Sequence, residues 1–517
     1  MKRIAILFLA AGLLLGTSST ACAIDFKLEG EWLMGFGAGQ TNLVNKVRKG
    51  DEKRHADTDD VFTAAQRLLL KLEAVASENL SGTVYFEIGD TIWGQSESGG
   101  ALGADSTSII KLKNAYLDWD VPGTDLKFRI GIQPVTMPNQ AGGSAVFDTD
   151  AAGIISAYQF NDNVGLTALW VRPFNDNYAG YADGVKPDYY RANFLDNMDL
   201  FALLLPLKFD GFEATPWVMY GMRGKNTAKF DDYQTGDLGD GLPVYTFGPY
   251  PSTIRTVDNN DHQLIGNTKN VYGNMFWAGL PFAVTALDPL NIEVDVNYGY
   301  VEGMGHYDAE KSFDGVTKRS NTQRQGWLAK ALIEYKMDWG VPGIFCWYAS
   351  GDDGNPRNGS ERMPSVAPFG NFTSFIGDGN MGWAPSVNYL DYNTGYAGTW
   401  GIGARVKDIS FAEDLKHTII VTYWGGTNSP AMIKYMDSST AWNESRFMEN
   451  YMTTNDGLLE INLVNAWHIY ENLEMNLEFG YVVNFMDNNT WKKAGNRDTS
   501  FEKLDIWKTQ VVFAYSF

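Results

Sequence analysis

Three pairs of cations stand two or four residues apart: Arg67 and Lys71, Lys127 and Arg129, Arg405 and Lys407. On an extended chain that spacing puts both members on one face. Two carboxylates, Asp148 and Asp150, share the spacing and follow Gly142 and Gly143 in the stretch "VTMPNQAGGSAVFDTDAAG". A basic wall facing two acids across a water-filled passage would make a transverse field, which orders dipolar solutes and sets ion preference. Inward acids are also expected at Glu73, Glu293, Asp295, Glu334, Glu474 and Glu478.

Catalytic chemistry finds little support. The five histidines (His55, His262, His306, His417 and His468) form no HExxH pair, and neither a G-x-S-x-G nor a P-loop pattern occurs. The runs "GDDGN" at 351–355 and "DNND" at 258–261 read as solvated loop acids rather than calcium loops. The reading is therefore a non-enzyme with no cofactor and no metal.

Strands must position these residues. "LNIEVDVNYGYVEG" sets Leu290, Ile292, Val294, Val296, Tyr298 and Tyr300 against Asn291, Glu293, Asp295 and Asn297. "LEMNLEFGYVVNF" sets Leu473, Met475, Leu477 and Phe479 against Glu474, Asn476 and Glu478. This alternation predicts about eighteen strands: 25–36, 64–77, 82–94, 109–121, 125–134, 151–161, 163–174, 197–208, 211–223, 271–285, 289–302, 324–338, 342–350, 395–408, 416–426, 455–469, 472–486 and 503–517. The pattern is weakest over 151–161 and 197–208, so sixteen is the alternative count. Short turns rich in Gly, Pro, Asn and Asp, such as Val121-Pro122-Gly123-Thr124-Asp125 and Leu287-Asp288-Pro289, alternate with long links. An even count brings both ends out on the side of the short turns.

The expected fold is all-β: one transmembrane antiparallel β-barrel with short periplasmic turns and long external loops. So many long strands exceed a sandwich, and no blade-length repeat suggests a propeller. Trp93, Tyr116, Trp119, Trp170, Trp217, Trp277, Tyr298, Tyr300, Trp339, Trp400, Trp424, Trp467 and Trp507 fall mostly near strand ends, which predicts two aromatic girdles. A barrel this wide admits water. The glycine pair allows the link at 135–150 to bend inward as a constriction.

The first 23 residues, "MKRIAILFLAAGLLLGTSSTACA", combine Lys2 and Arg3, a short apolar run and Ala21-Cys22-Ala23. They read as a signal peptide cut before Ile24, leaving residues 24–517 as one barrel domain. Removing the two basic residues takes the net charge from −21 to −23, which argues against nucleic-acid partners. Cys346 is then the only cysteine, so no internal disulfide forms.

The signal peptide, the strand and loop rhythm, the stretch "SENLSGTVYFEIGDTIWG" at 77–94 and the terminal Phe517 together resemble the outer-membrane homotrimeric porins of sulfate-reducing bacteria. The resemblance implies a Gram-negative outer membrane, a homotrimer in lipid, and passive diffusion of small hydrophilic solutes and ions. It also implies that the barrel-assembly machinery reads Phe517. The alternative is a channel selective for an anion such as sulfate, or for a small organic acid, served by the cations above. Closure of the barrel is expected where "VVFAYSF" pairs with "DFKLEGEW".

Overall fold

A computed structural model describes residues 24–517 except 41–42, 49–59, 97, 104–109, 176–196, 225–271, 312–315, 376–379, 381–382, 384–394, 437–439, 443–447 and 495–498. The signal segment, His55, His262 and the run at 258–261 lie outside the described residues.

One antiparallel sheet closes on itself. Its strands are β1 (Asp25–Gln40), β2 (Asp60–Ser77), β3 (Leu80–Ile92), β4 (Ile110–Asp120), β5 (Leu126–Thr136), β6 (Asp148–Asn161), β7 (Val164–Asn175), β8 (Asn197–Leu204 with Leu207–Phe209) and β9 (Phe212–Ala214 with Trp217–Gly224). They continue as β10 (Tyr272–Val284), β11 (Leu290–Val301), β12 (Arg324–Tyr335), β13 (Val341–Ala349), β14 (Thr399–Ala412), β15 (Leu415–Gly426), β16 (Gly457–Tyr470), β17 (Leu473–Asn484) and β18 (Ile506–Ser516). The sheet holds 20 segments. Pro206 and Pro216 cannot donate to the ladder and split β8 and β9 into two segments each, which leaves eighteen crossings. Both weakly patterned stretches are strands, so the count is eighteen and not sixteen.

The seam lies where the terminal pattern places it. Trp32 pairs with Tyr515, Met34 with Phe513 and Phe36 with Val511. Gly30 N–H donates to the Phe517 carbonyl at 2.8 Å and Phe517 N–H to the Gly30 carbonyl at 2.9 Å. The Phe517 ring occupies the space a Gly30 side chain would need.

Polarity is inverted relative to a soluble protein. Phe479 is 45% exposed on the outer face, while its neighbour Glu478 is 3% exposed on the inner one. Ile402, Ile344 and Leu203 also stand exposed outside, and Trp93, Trp119, Tyr298, Trp339 and Trp467 join them. Trp217, Trp277 and Trp424 depart from the expected girdles: all three point inward and are buried. Among the described residues, no helix is long and apolar enough to cross a membrane.

Candidate functional site

The lumen is the site, and two inward segments shape it. The first is a tongue. β4 stops pairing with β5 beyond Ala115–Ile132, and β7 stops pairing with β6 beyond Gly153–Val171. β5 and β6 stay paired to Thr136–Asp148. Their joint end leaves the wall as a two-stranded ribbon and reaches the far side. There Gln140 N–H and Ala141 N–H donate to the Asp295 carboxylate of β11 at 2.9 and 3.0 Å. Lys330 of β12 donates to the carbonyls of Ala141 and Gly143. Its ammonium lies 3.1 Å from Asp295, with both side chains at 0–1% exposure.

Gly142 and Gly143 take φ of 59° and 77°, a region that costs other residues strain. They also sit where backbones touch: a Cβ on Gly143 would lie 2.5 Å from the Gly370 Cα.

Gly370 belongs to the second segment, residues 350–398, between β13 and β14. It adds to the tongue as a short ladder. Val366 N–H donates to the Val146 carbonyl at 2.7 Å, Phe369 N–H to Ser144 at 3.0 Å, and Asp148 N–H to Ala367 at 2.7 Å. The barrel wall then holds it all round. Trp277 Nε1 donates to the Pro364 carbonyl at 3.0 Å, and Arg324 to the carbonyls of Arg362 and Met363 at 2.9 and 2.8 Å. Ser374 Oγ donates to Glu478 at 2.7 Å and Phe375 N–H to Glu460 at 3.0 Å. Trp383 Nε1 reaches Asp90 of β3 at 3.1 Å and packs with Leu33, Ala65, Val512 and Ala514.

Much of the interior is therefore a packed core and not a water-filled space. Leu200, Trp217, Met219, Trp277, Phe345, Trp347 and Trp424 line the inner wall from β8 to β15 and are buried with Met137, Val146, Phe147 and Phe372 of the two segments. Period two marks an inward residue on this wall, but it does not say whether a loop covers it.

Exposed inward charge also occurs elsewhere, as Lys208–Glu213 on β8 and β9 and Lys407 on β14 show, but the longest run lies on β1–β6, nearly all of it in pairs. Lys27 meets Glu73 at 3.3 Å and Lys71 meets Glu29 at 3.0 Å. Arg67 makes a bidentate bond to Asp90 at 2.6 and 2.7 Å. Lys111 meets Glu87 at 3.2 Å, and Lys113, at a bulge in β4, meets Asp150 at 2.8 Å. Lys127 meets Asp120 at 2.8 Å. Arg129 meets Asp118 at 2.7 Å and lies over the Tyr116 ring.

The expected basic wall is thus a ladder of ion pairs. Its members Arg67, Lys71, Lys127 and Arg129 hold acids of adjoining strands, not Asp148 and Asp150. Those two acids belong to β6 on the tongue and not to its loop. Arg405 and Lys407, on β14, share Glu334 of β12 at 2.8 and 3.0 Å. The intervening residue of β13 is Gly343, and a Cβ there would crowd Glu334.

Of the two acids of "GDDGN", Asp353 is exposed as expected, while Asp352 is structural and not solvated. Asp352 is buried and accepts from Ser360 Oγ at 2.6 Å and Tyr451 OH at 2.7 Å. Burial pushes its carboxyl above the usual range. Glu361, half-buried beside Asp352 and Asp353, is pushed up to about 7. No cluster of three metal-ligating side chains occurs among the described residues.

No family model and no curated protein matches the chain. Among solved structures the chain is similar to OccK8 (OprE) of Pseudomonas aeruginosa, with 11% identity, a TM-score of 0.47, and 95% of this chain and 98% of that chain covered. It is also similar to OccAB3 of Acinetobacter baumannii, with 12% identity, a TM-score of 0.45, and 95% and 100% covered. A third is OpdK of Pseudomonas aeruginosa, with 8% identity, a TM-score of 0.46, and 95% and 99% covered.

Proposed function

We propose that the chain is an outer-membrane porin: a non-catalytic, water-filled channel that passes small hydrophilic solutes and ions by passive diffusion. One observation carries this reading. A closed barrel keeps an apolar outer face and a charged, partly exposed inner wall on β1–β6. In lipid only a closed sheet leaves no unpaired edge, and ion pairs whose side chains are 36–65% exposed on an inner face need water beside them. Cleavage of residues 1–23, export and insertion by the barrel-assembly machinery through Phe517 belong to the same reading. So do a homotrimer and kinship with the porins of sulfate-reducing bacteria.

Planar-bilayer recording tests it. Stepwise conductance is expected, in groups of three equal steps for a trimer, and no steps at all would sink the proposal. The far-reaching closure of the lumen by two interlocked segments favours a second reading, a substrate-selective channel. Flux that saturates with solute concentration supports it, and flux that rises linearly supports general diffusion.

A further inference from the structure

We infer that this channel prefers cations to anions and that Glu31 and Asp148 set the preference. The inference rests on the porin reading. Its first ground is the route. From β8 to β15 most of the inner wall is packed under the tongue and the 350–398 segment, and Trp383 covers Leu33 and Ala65 of β1 and β2, so solutes pass along the exposed charge of β1–β6 and the face of the tongue that carries Asp148 and Asp150. Trp383 borders this lane, bonded to Asp90, with Arg67 5.9 Å from its ring centre.

The second ground is the charge balance along that lane. Each of seven cations holds a carboxylate within 3.3 Å: Lys27, Arg67, Lys71, Lys111, Lys113, Lys127 and Arg129. A mobile anion finds each of these positive charges already engaged by an acid. Asp25, at the start of β1, shares the inner face of Lys27 and Glu29 and has no cation among the described residues; two further carboxylates, deeper in the lane, also face it without one. Glu31 lies on the inner face of β1, in register with Leu69 of β2. Asp148 sits at the last pair of the tongue's ribbon, and its carboxylate takes only the Thr136 hydroxyl at 2.6 Å, besides the backbone bond of its own N–H. Among the described residues, neither has a basic group within salt-bridge distance.

Paired charges largely cancel beyond a few ångströms, so the residual field comes from the unpaired acids. Water in a narrow, low-dielectric passage screens them less than bulk solvent does. Carboxylates placed this way attract cations and repel anions. The solutes favoured are inorganic cations and small organic molecules bearing an ammonium group.

The reversal potential in a KCl gradient measures the preference. Wild-type channels should pass potassium over chloride by roughly two- to fivefold. Glu31→Gln with Asp148→Asn should bring the ratio close to one, and each single change should fall between. Unchanged heat-shifted mobility on gels checks that the variants fold. Channels that favour chloride, or a double variant that keeps the wild-type ratio, overturn the inference and leave the porin reading standing. The absence of channels overturns both.

Discussion

Lys330 has no exposed side-chain surface, and Asp295 beside it has 1%. Two buried charges this close are costly to separate. The carboxylate is satisfied by the ammonium and two tongue N–H groups, and the ammonium by two tongue carbonyls. The pair therefore pins the tongue through its backbone and needs no particular side chain on it. Lys330→Met leaves Asp295 buried and short of its cation, a loss of about 3–5 kcal/mol for a broken buried pair. The expected outcome is a freed tongue: larger or unsteady single-channel conductance and a lower temperature for the heat shift on gels. An unchanged conductance trace would show that the tongue is held elsewhere. The same logic explains Gly343, which lets Glu334 bridge β13 to Arg405 and Lys407.

As elements, the two inward segments differ in how they are held. The tongue is a continuation of two strands, so its base inherits their register. The 350–398 segment has little regular structure among its described residues and depends on side chains of the wall. Its far anchor is Trp383. Trp383→Ala removes its contacts with Leu33, Ala65, Val512 and Ala514 and the bond to Asp90, about 3–5 kcal/mol for a buried aromatic. Recordings of that variant should show frequent switching between open levels.

Glu361 adds a pH dependence to this segment. Burial, helped by Asp352 and Asp353, lifts it from 4.5 to about 7. The folded segment therefore keeps this proton where the unfolded chain has lost it. Its contribution to stability is full below about 4.5 and disappears as pH rises through about 7. Hydrogen exchange at 350–375, corrected for intrinsic rates, should be slower at pH 5 than at pH 8. Glu361→Gln should shrink the difference, leaving the part that belongs to Asp352.

At the scale of the whole molecule, closure is the decisive feature. β1 and β18 pair from Glu31–Ser516 to Gly39–Lys508, and the Phe517 backbone extends the ladder to Gly30. An open barrel would leave two edges unpaired in lipid, where each missing bond costs several kcal/mol. Phe517 adds only one residue to that seam. Its deletion should lower the amount of assembled protein in the outer-membrane fraction well before it alters the conductance of the channels that form. Equal loss of both would make Phe517 a structural residue and not an assembly signal.

The sequence by itself determined a strand number of sixteen to eighteen (the structure decided for eighteen), the turn-and-loop alternation, the face most strand residues occupy and the seam. These follow from period two and from turn residues, which are local and repeat along the chain. It also marked the tongue through Gly142 and Gly143, because a positive φ leaves a residue-level trace. What lines the passage was decided only by tertiary structure. Arg67 finds Asp90 at a separation of 23 residues, Lys330 finds Ala141 at 189, and Trp383 finds Asp90 at 293. No local pattern encodes such pairings. An inward Trp277 or Glu478 looks the same in sequence whether water or a returning loop covers it. The packing of the two inward segments covers both, while pairs such as Lys71–Glu29, Lys127–Asp120 and Arg129–Asp118 on β1–β5 stay exposed.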